Sequence, residues 1–176
     1  MEQRFIMTAF GRDRVGIVAD VTRILFETDC NLEETRMTQL ADEFALILLF
    51  TGRRKDLEDV LERETRRLER DKGISAFVRP LQQRETRRQD DRPRGIVHVE
   101  GLDQAGIVYR TSCLLAELGV NIVDLQSDVL LTPGSGSRLY RMDIHVQLPE
   151  GTDLDRLGEK LQHVGDELNV DISINN

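Results

Sequence analysis

The sequence has few of the features that mark secreted or membrane-spanning proteins. Its two cysteines, Cys30 and Cys113, are far apart and have neither CxxC nor metal-ligand spacing, so nothing supports a disulfide framework. The longest apolar run, Phe44–Phe50, is too short to cross a bilayer, and the N-terminus lacks the pattern of a signal peptide. We therefore expect a cytoplasmic protein whose cysteines are reduced and half buried.

Excess positive charge is also missing. The chain has 24 Lys and Arg against 32 Asp and Glu, a formal net charge of −8. Proteins that bind nucleic acid directly rely on clustered excess Lys and Arg. The basic clusters at 53–55, 66–70 and 84–88 lack interleaved aromatic residues and are diluted by acidic ones. The composition predicts no direct contact with nucleic acid.

No group of residues has the spacing of a catalytic or metal site. His98, His145 and His163 are scattered, with no HExxH or HxH pattern. The pair Asp153 and Asp155 follows a loop, where a phosphatase nucleophile would follow an apolar strand, so capping of the last helix explains it better. We predict a protein that is not an enzyme, with no catalytic residues, no metal and no cofactor.

What the sequence does contain is a long internal repeat. Gly11–Asn31 reads GRDRVGIVADVTRILFETDCN, and Gly101–Asn121 reads GLDQAGIVYRTSCLLAELGVN. Around each repeat the apolar spacing changes in the same order, from strand to helix, to a hairpin of two strands, to a second helix and a last strand. This order is βαββαβ, the ferredoxin-like split. We predict an α+β protein with domains at 1–81 and 95–176, joined by a charged linker at 82–94.

Several details of the helices follow from the same patterns. The apolar stripes predict that Val18 and Val108 face inward on the first helix of each half. Asp56 and Asp153 are predicted N-caps of the second helices, and Gly73 is predicted to end the helix that Asp56 begins.

The segment Gly-x-Asp-x-x-Gly can bind a small zwitterion. It places Gly16 and Gly106 at helix N-termini, where free N–H groups and the helix dipole attract a carboxylate, and where a side chain would be an obstruction. Aspartates in the same segments can accept from an ammonium, and the asparagines that close the repeats offer a donor and an acceptor. The residues concerned are Asp13, Asp103, Asn31 and Asn121.

A purely structural interpretation of the same residues stays open. Gly11 and Gly101 can simply end strands, and the two aspartates can cap helices. The two asparagines can take the left-handed turn after a helix. A dinucleotide fingerprint fits less well, because its middle glycine is replaced by aspartate and the next strand enters a hairpin.

The paired βαββαβ units with these motifs resemble tandem ACT domains, which are regulatory modules that bind amino acids. TRMTQLADEFALILLFTG and LLTPGSGSRLYRMDIHVQLP in the two hairpins resemble, more narrowly, the glycine cleavage system transcriptional repressor type. The resemblance implies that two units pair side by side into a pseudo-dimer with antiparallel sheets and that ligand lies between them. The ligand residues it implies are Asp13, Gly16, Ile17, Val18, Asn31, Asp103, Gly106, Ile107, Val108 and Asn121.

The chain departs from the repressor pattern at two places. Ala41 and Asp42 stand where the repressor type has a Gly-Gly pair. The second glycine loop has Leu102, Gln104 and Ala105 where the first has Arg12, Arg14 and Val15. The two sites are therefore expected to differ in affinity, or only one of them to bind.

The function that the resemblance implies is regulatory. It would sense glycine or serine and act through a protein partner, which for the repressor type is a LysR-type transcription factor. Two alternatives stay open: a protein-interaction module that needs no ligand, and a regulatory subunit of an enzyme of amino-acid or one-carbon metabolism. The sequence is compatible with a homodimer and leaves open whether ACT units pair within one chain or between two.

Overall fold

Each half of the chain folds into its own α+β unit in the computed structural model, which describes residues 2–81, 92–131 and 136–175. The first unit comprises residues 1–87 and the second comprises residues 88–176. Of the predicted linker, residues 82–91 lie outside the described residues, as do residues 132–135 of the loop in the second hairpin. The finer domain bounds of 1–81 and 95–176 stay a prediction.

The two units contain the same six elements in the same order. The first unit has β1 (Gln3–Arg12), α1 (Ile17–Glu27), β2 (Asn31–Leu40), β3 (Glu43–Gly52), α2 (Leu57–Lys72) and β4 (Ser75–Leu81). The second has β5 (Arg94–Leu102), α3 (Ile107–Glu117), β6 (Asn121–Leu131), β7 (Arg138–Gln147), α4 (Leu154–Leu168) and β8 (Val170–Asn175).

Both sheets are antiparallel and have the same strand order. The orders are β2-β3-β1-β4 in the first unit and β6-β7-β5-β8 in the second. The first strand of each unit thus lies in the middle, between the hairpin and the last strand. This confirms the predicted α+β class and the ferredoxin-like βαββαβ fold. The predicted side-by-side pairing of the units stays a prediction.

One face of each sheet packs against the two helices of its unit. Alternate residues of β1 and β3 are buried there, among them Phe5, Met7 and Leu48, each fully enclosed. The prediction that Val18 and Val108 face inward is wrong, since both are 41% exposed. Each follows the buried first residue of its helix, and a rotation of about 100° per residue carries it to the edge of the apolar stripe.

The helix ends agree with the predicted positions but not with every predicted bond. Asp153 accepts from the Arg156 N–H at 3.2 Å and caps α4. Asp56 occupies the N-cap position of α2, but its carboxylate bonds to the Arg54 side chain at 2.9 and 3.1 Å. Gly73 ends α2 with a positive φ of 67°. Within the described ranges, no helix combines the length and the apolar character needed to cross a membrane.

Candidate ligand site

The second glycine of each motif begins a helix in a left-handed conformation. Gly16 is the N-cap of α1 with φ 87°, and Gly106 is the N-cap of α3 with φ 100°. Other residues rarely adopt such values, so backbone conformation alone explains why glycine stands there. A Cβ built at either glycine meets nothing within 4 Å. The space over both loops is therefore open to a ligand.

The first turns of these helices carry unpaired N–H groups. At α1, the Ile17 N–H donates to the Arg14 carbonyl at 3.3 Å, but the N–H groups of Val18 and Ala19 have no acceptor in the described part of the chain. At α3, the N–H groups of Ile107, Val108 and Tyr109 likewise find no acceptor there. Together with the positive end of the helix dipole, such groups can bind an anionic oxygen.

The two motif aspartates do not cap these helices, because neither helix has a side-chain cap. Asp13 instead joins its loop to the β2–β3 hairpin. Its N–H donates to the Asp42 carbonyl at 2.7 Å, and its carboxylate accepts from Gln39 Nε2 at 2.7 Å. Because Gln39 is neutral, the negative charge of Asp13 has no cationic partner in this contact.

Asp103 has different surroundings. Its N–H donates to the Arg138 carbonyl at 3.0 Å, which repeats the backbone contact of the first unit. Its carboxylate, however, pairs with the guanidinium of the same Arg138 at 3.1 Å. An ammonium that binds Asp103 must compete with this resident cation.

The asparagines lie far from the glycine loops of their own units. Asn31 is the first residue of β2, eight residues before the Gln39 that contacts Asp13. At about 3.3 Å per residue this separation is about 25 Å. Asn121 begins β6 at the corresponding end, where its amide donates to Gln147 Oε1 at 3.2 Å. Within one unit, loop and asparagine cannot touch the same small molecule.

The structural interpretation of these asparagines, as left-handed residues that follow a helix, is wrong. The left-handed residues that follow the first helices are Asp29 and Gly119, with φ 55° and 70°. Asn31 and Asn121 follow them and already belong to strands.

The glycines that open the motifs do have a structural explanation. A Cβ at Gly101 would lie 2.5 Å from Val170 Cγ1, and one at Gly11 would lie 3.1 Å from the Gly73 carbonyl oxygen.

Sequence reasoning missed an ion-pair cluster that holds the first glycine loop. Asp20, only 9% exposed, accepts from Arg14 at 2.7 Å and from Arg23 at 2.9 Å, and it lies 3.5 Å from Lys72 Nζ. The hydrogen bond from Arg14 is the main cause of the lowered pKa of the Asp20 carboxyl. The cluster connects the loop to α1 and to the end of α2.

The second unit replaces this cluster with other contacts. Gln104 donates to the Leu168 carbonyl, and Arg110 pairs with Glu167 near the end of α4. The charge at the fourth position after the glycine is thus reversed, from Asp20 to Arg110. The reversal is visible in the sequence, but the sequence does not show that Arg110 pairs with Glu167, because that partner lies 57 positions away and packing brings it close.

Two hollows in the described residues lie away from the glycine loops. A hollow of about 140 Å³ in the first unit lies between α1 and α2, and one of about 410 Å³ in the second lies beside the start of α4. Neither is lined by a motif glycine or aspartate. A small ligand on a loop would therefore be only partly enclosed by that loop's own unit.

We found no arrangement suited to a metal in the ranges 2–81, 92–131 and 136–175, where no three His, Cys, Asp or Glu side chains lie in suitable positions. Cys30 and Cys113 are free thiols and partly buried, as expected. His98 contacts Asp143 at 2.6 Å on the sheet of the second unit.

Comparison with known proteins supports the resemblance. The family model of the ACT domain matches residues 3–78. The second unit repeats the element order and the strand order of the first. The chain belongs to the ACT-domain family. Its fold is therefore that of an ACT protein with two units.

Relatives that match almost the whole chain include a named regulator. The glycine cleavage system transcriptional repressor of Escherichia coli is 27% identical over 172 residues, covering 97% of this ACT protein and 88% of the relative. A shorter relative matches about half of the chain. It is a UPF0237 protein of Methanopyrus kandleri, 38% identical over 82 residues, covering 46% of this chain and 84% of that protein. The crystal structure of an unknown protein from Galdieria sulphuraria has a TM-score of 0.79 and 31% identity, covering 99% and 98% of the two chains.

Proposed function

We propose that this ACT protein is an amino-acid-responsive regulator of the glycine cleavage repressor type, with glycine or serine as its effector. The observation that carries the proposal is the open glycine loop of the first unit. There the unpaired N–H groups of Val18 and Ala19 point to a site for a carboxylate. Asp13, in the same loop, carries a negative charge that its contact with Gln39 leaves unneutralised, and it can bind an ammonium.

The two loops are proposed to differ in strength. In the first unit an ammonium meets Asp13 and its neutral partner Gln39, whereas in the second it competes with Arg138 for Asp103. The first loop is therefore the stronger site. Glycine has about five heavy atoms, so a ceiling of about −1.5 kcal/mol per atom limits its binding to roughly −7.5 kcal/mol. That corresponds to a dissociation constant no tighter than a few micromolar, which is enough for sensing a metabolite.

Regulation is proposed to pass through another protein. The relative in Escherichia coli is described as a transcriptional repressor. The net charge of −8 makes direct binding to DNA phosphates unfavourable. A partner that binds DNA, of the LysR type for this kind of repressor, would meet the protein in the cytoplasm. The ligand shifts that interaction only by the difference between its affinities for the two states.

A second candidate is an interaction module that needs no small molecule. It is favoured by the absence of a motif glycine or aspartate from either of the two hollows described above. A loop that only shapes the backbone would have the same glycine conformation. The two candidates differ in whether amino acids bind at all.

Calorimetric titration of the full chain separates the candidates. Glycine and serine are expected to bind saturably, while leucine and glutamate, whose side chains differ in size and charge, serve as comparison ligands. Asp13→Asn is expected to weaken glycine binding about 10-fold to 100-fold, because a charge-assisted hydrogen bond is lost. Asp42→Asn is the matched control, since it removes the same charge from the neighbouring hairpin turn. Equal affinity in wild type and Asp13→Asn would refute the site.

The role of the partner is tested separately. The full chain, immobilised, is used to capture a purified LysR-type transcription factor with and without glycine. The sensor predicts capture that changes with glycine, and Asp13→Asn is expected to remove the change. Capture that is the same in both conditions would favour the ligand-independent module.

A further inference from the structure

The two sheets differ in the face that points away from the helices. In the first unit we define the open face by the side chains of Ile6, Thr8, Phe10, Ala45, Ile47, Leu49 and Phe77, which alternate with the buried residues of β1, β3 and β4. Phe77 is 68% exposed, Ile47 46% and Phe10 44%, and the rings of Phe10 and Phe77 stack at 6.1 Å. The open face is therefore apolar and accessible.

The second unit provides an internal control, because the strand registers identify the equivalent positions. Phe10 corresponds to Glu100 and Ile47 to Asp143. Leu49 corresponds to His145, and Phe77 to Ser173. These polar residues form contacts of a solvated surface, such as Arg141 with Glu100 at 3.1 Å. The fold does not require apolar residues on this face, so the first unit has them for another reason.

We propose that the open face of the first unit binds the same face of a second copy of the chain. A scattered exposed apolar residue needs no explanation, but a contiguous patch marks an interaction surface. Two sheets commonly pack face to face with their strands nearly aligned. A partner with the charged character of the second unit's face would lose solvation on contact, whereas a second apolar face would not.

The register makes this face complementary to itself. Glu34, Leu49, Ile6 and Arg79 lie in one row across the four strands, with Glu34 at one edge and Arg79 at the other. A twofold axis parallel to the strands places β2 of one copy over β4 of the other. Each Glu34, which also lies 3.9 Å from Arg36 of its own chain, then faces an Arg79 of the second copy, and there are two such contacts.

The neighbouring row fits the same axis. It contains Arg36 at the β2 edge and Phe77 at the β4 edge, with Ile47 and Thr8 between them. The twofold axis brings Arg36 over the exposed ring of Phe77, a favourable cation–π arrangement. Both rows therefore place a cation opposite a group that attracts it.

The area is adequate for a weak dimer. Four strands about 4.8 Å apart and a common paired length of about 23 Å give roughly 440 Å² of flat area per copy. Two copies give roughly 900 Å² of flat area. The accessible surface is larger than the flat area because side chains project from the sheet, so it exceeds the roughly 1,000 Å² expected of a specific interface. We expect a dimer whose dissociation constant is on the order of micromolar, and so depends on concentration.

The first test measures the mass of the full chain by analytical ultracentrifugation over a range of concentrations. Wild type is expected to shift from monomer to dimer. The double variant Ile47→Asp, Phe77→Ser carries the residue types that the second unit has at these positions, and it is expected to raise the dissociation constant about 100-fold. Phe26→Ser is the control, because Phe26 is 85% exposed on α1, away from the open face, and dimerisation should be unchanged. A wild type that stays monomeric, or a dimer that survives the double variant, overturns the proposal.

A second test avoids the apolar residues altogether. Glu34→Arg and Arg79→Glu are each expected to weaken the dimer at least about 10-fold by placing like charges opposite each other. The combined variant is expected to restore part of the affinity, because the charges between the copies are opposite again while the contact of Glu34 with Arg36 is still lost. If neither single substitution changes the dimer, the twofold arrangement is refuted. The inference is independent of the proposed function, since ligand binding can fail while the dimer forms.

Discussion

The hydroxyl of Thr111 is the clearest place to test the packing of the second unit. Thr111 is fully buried on α3, and its Oγ1 has no hydrogen-bond partner among the residues described. Its counterpart in the first unit, five residues after the motif glycine, is Val21, which is also fully buried. Thr111→Val keeps the shape of the side chain and removes the unpaired hydroxyl.

The expected change is a gain in stability. An unsatisfied buried polar group costs about 1–3 kcal/mol, and Val leaves no cavity in its place. We expect the free energy of unfolding of the second unit to rise by about 1–2 kcal/mol. For a domain of this size each kcal/mol corresponds to about 4–8 °C in Tm.

Urea unfolding followed by circular dichroism, together with scanning calorimetry, measures this change. Thr65→Val is the matched control, because Thr65 is 5% exposed on α2 and its hydroxyl donates to the Glu62 carbonyl at 3.0 Å. That control is expected to lose about 0.5–1.5 kcal/mol. If Thr111→Val is neutral or destabilising, the hydroxyl has a partner and the reasoning is refuted.

Three further predictions concern the loop, the ion-pair cluster and a thiol. Gly101→Ala is expected to destabilise its unit by about 1–3 kcal/mol, because the added Cβ would overlap Val170. Gly16→Ala has open space around the added Cβ but a positive φ, and it should cost only about 1 kcal/mol. Denaturant midpoints that show the reverse order would contradict this. The pKa of Asp20 is lowered, mainly through Arg14, so its contribution to stability is complete above the unfolded pKa of about 4 and is lost as the pH falls below that value. The free energy of unfolding, measured against pH, should therefore depend less on acid in Asp20→Asn than in wild type. Equal profiles would show that the ion-pair cluster does not cause the acid dependence. Burial raises the pKa of the Cys30 thiol. In a Cys113→Ser background, iodoacetamide should therefore label Cys30 slowly at neutral pH in the folded chain and rapidly once the chain is unfolded. Equal labelling rates in the two states would show that the thiol is accessible in the fold.

Local patterns were enough to predict the elements of this protein. The change from alternation to a helical stripe after Gly11 and Gly101, and the end of α2 at Gly73, depend on a few neighbouring residues. Because both halves carry the same pattern, the predicted βαββαβ order was confirmed twice. The errors at Val18 and Val108 have the same local origin, since a one-residue rotation decides whether a side chain at the edge of a stripe is buried.

The candidate site could be predicted only in part. The position of each glycine loop at a helix start follows from the chain itself, and the structure adds the open space above Gly16 and Gly106. The grouping of Asn31 with Asp13 does not hold within one unit, because the sheet separates them by most of the length of β2. Spacing along the sequence says little about distance once a strand runs between two residues.

The sequence by itself determined the strands, the helices, the two repeats and the glycines that begin α1 and α3, because propensity, periodicity and backbone freedom act over a few residues. Only the tertiary structure decided that Gln39 accompanies Asp13 while Arg138 neutralises Asp103. It alone placed Glu34 and Arg79 in one row across four strands. The physical reason is that the register between strands is set by packing of the whole core, and that register chooses which distant side chains meet.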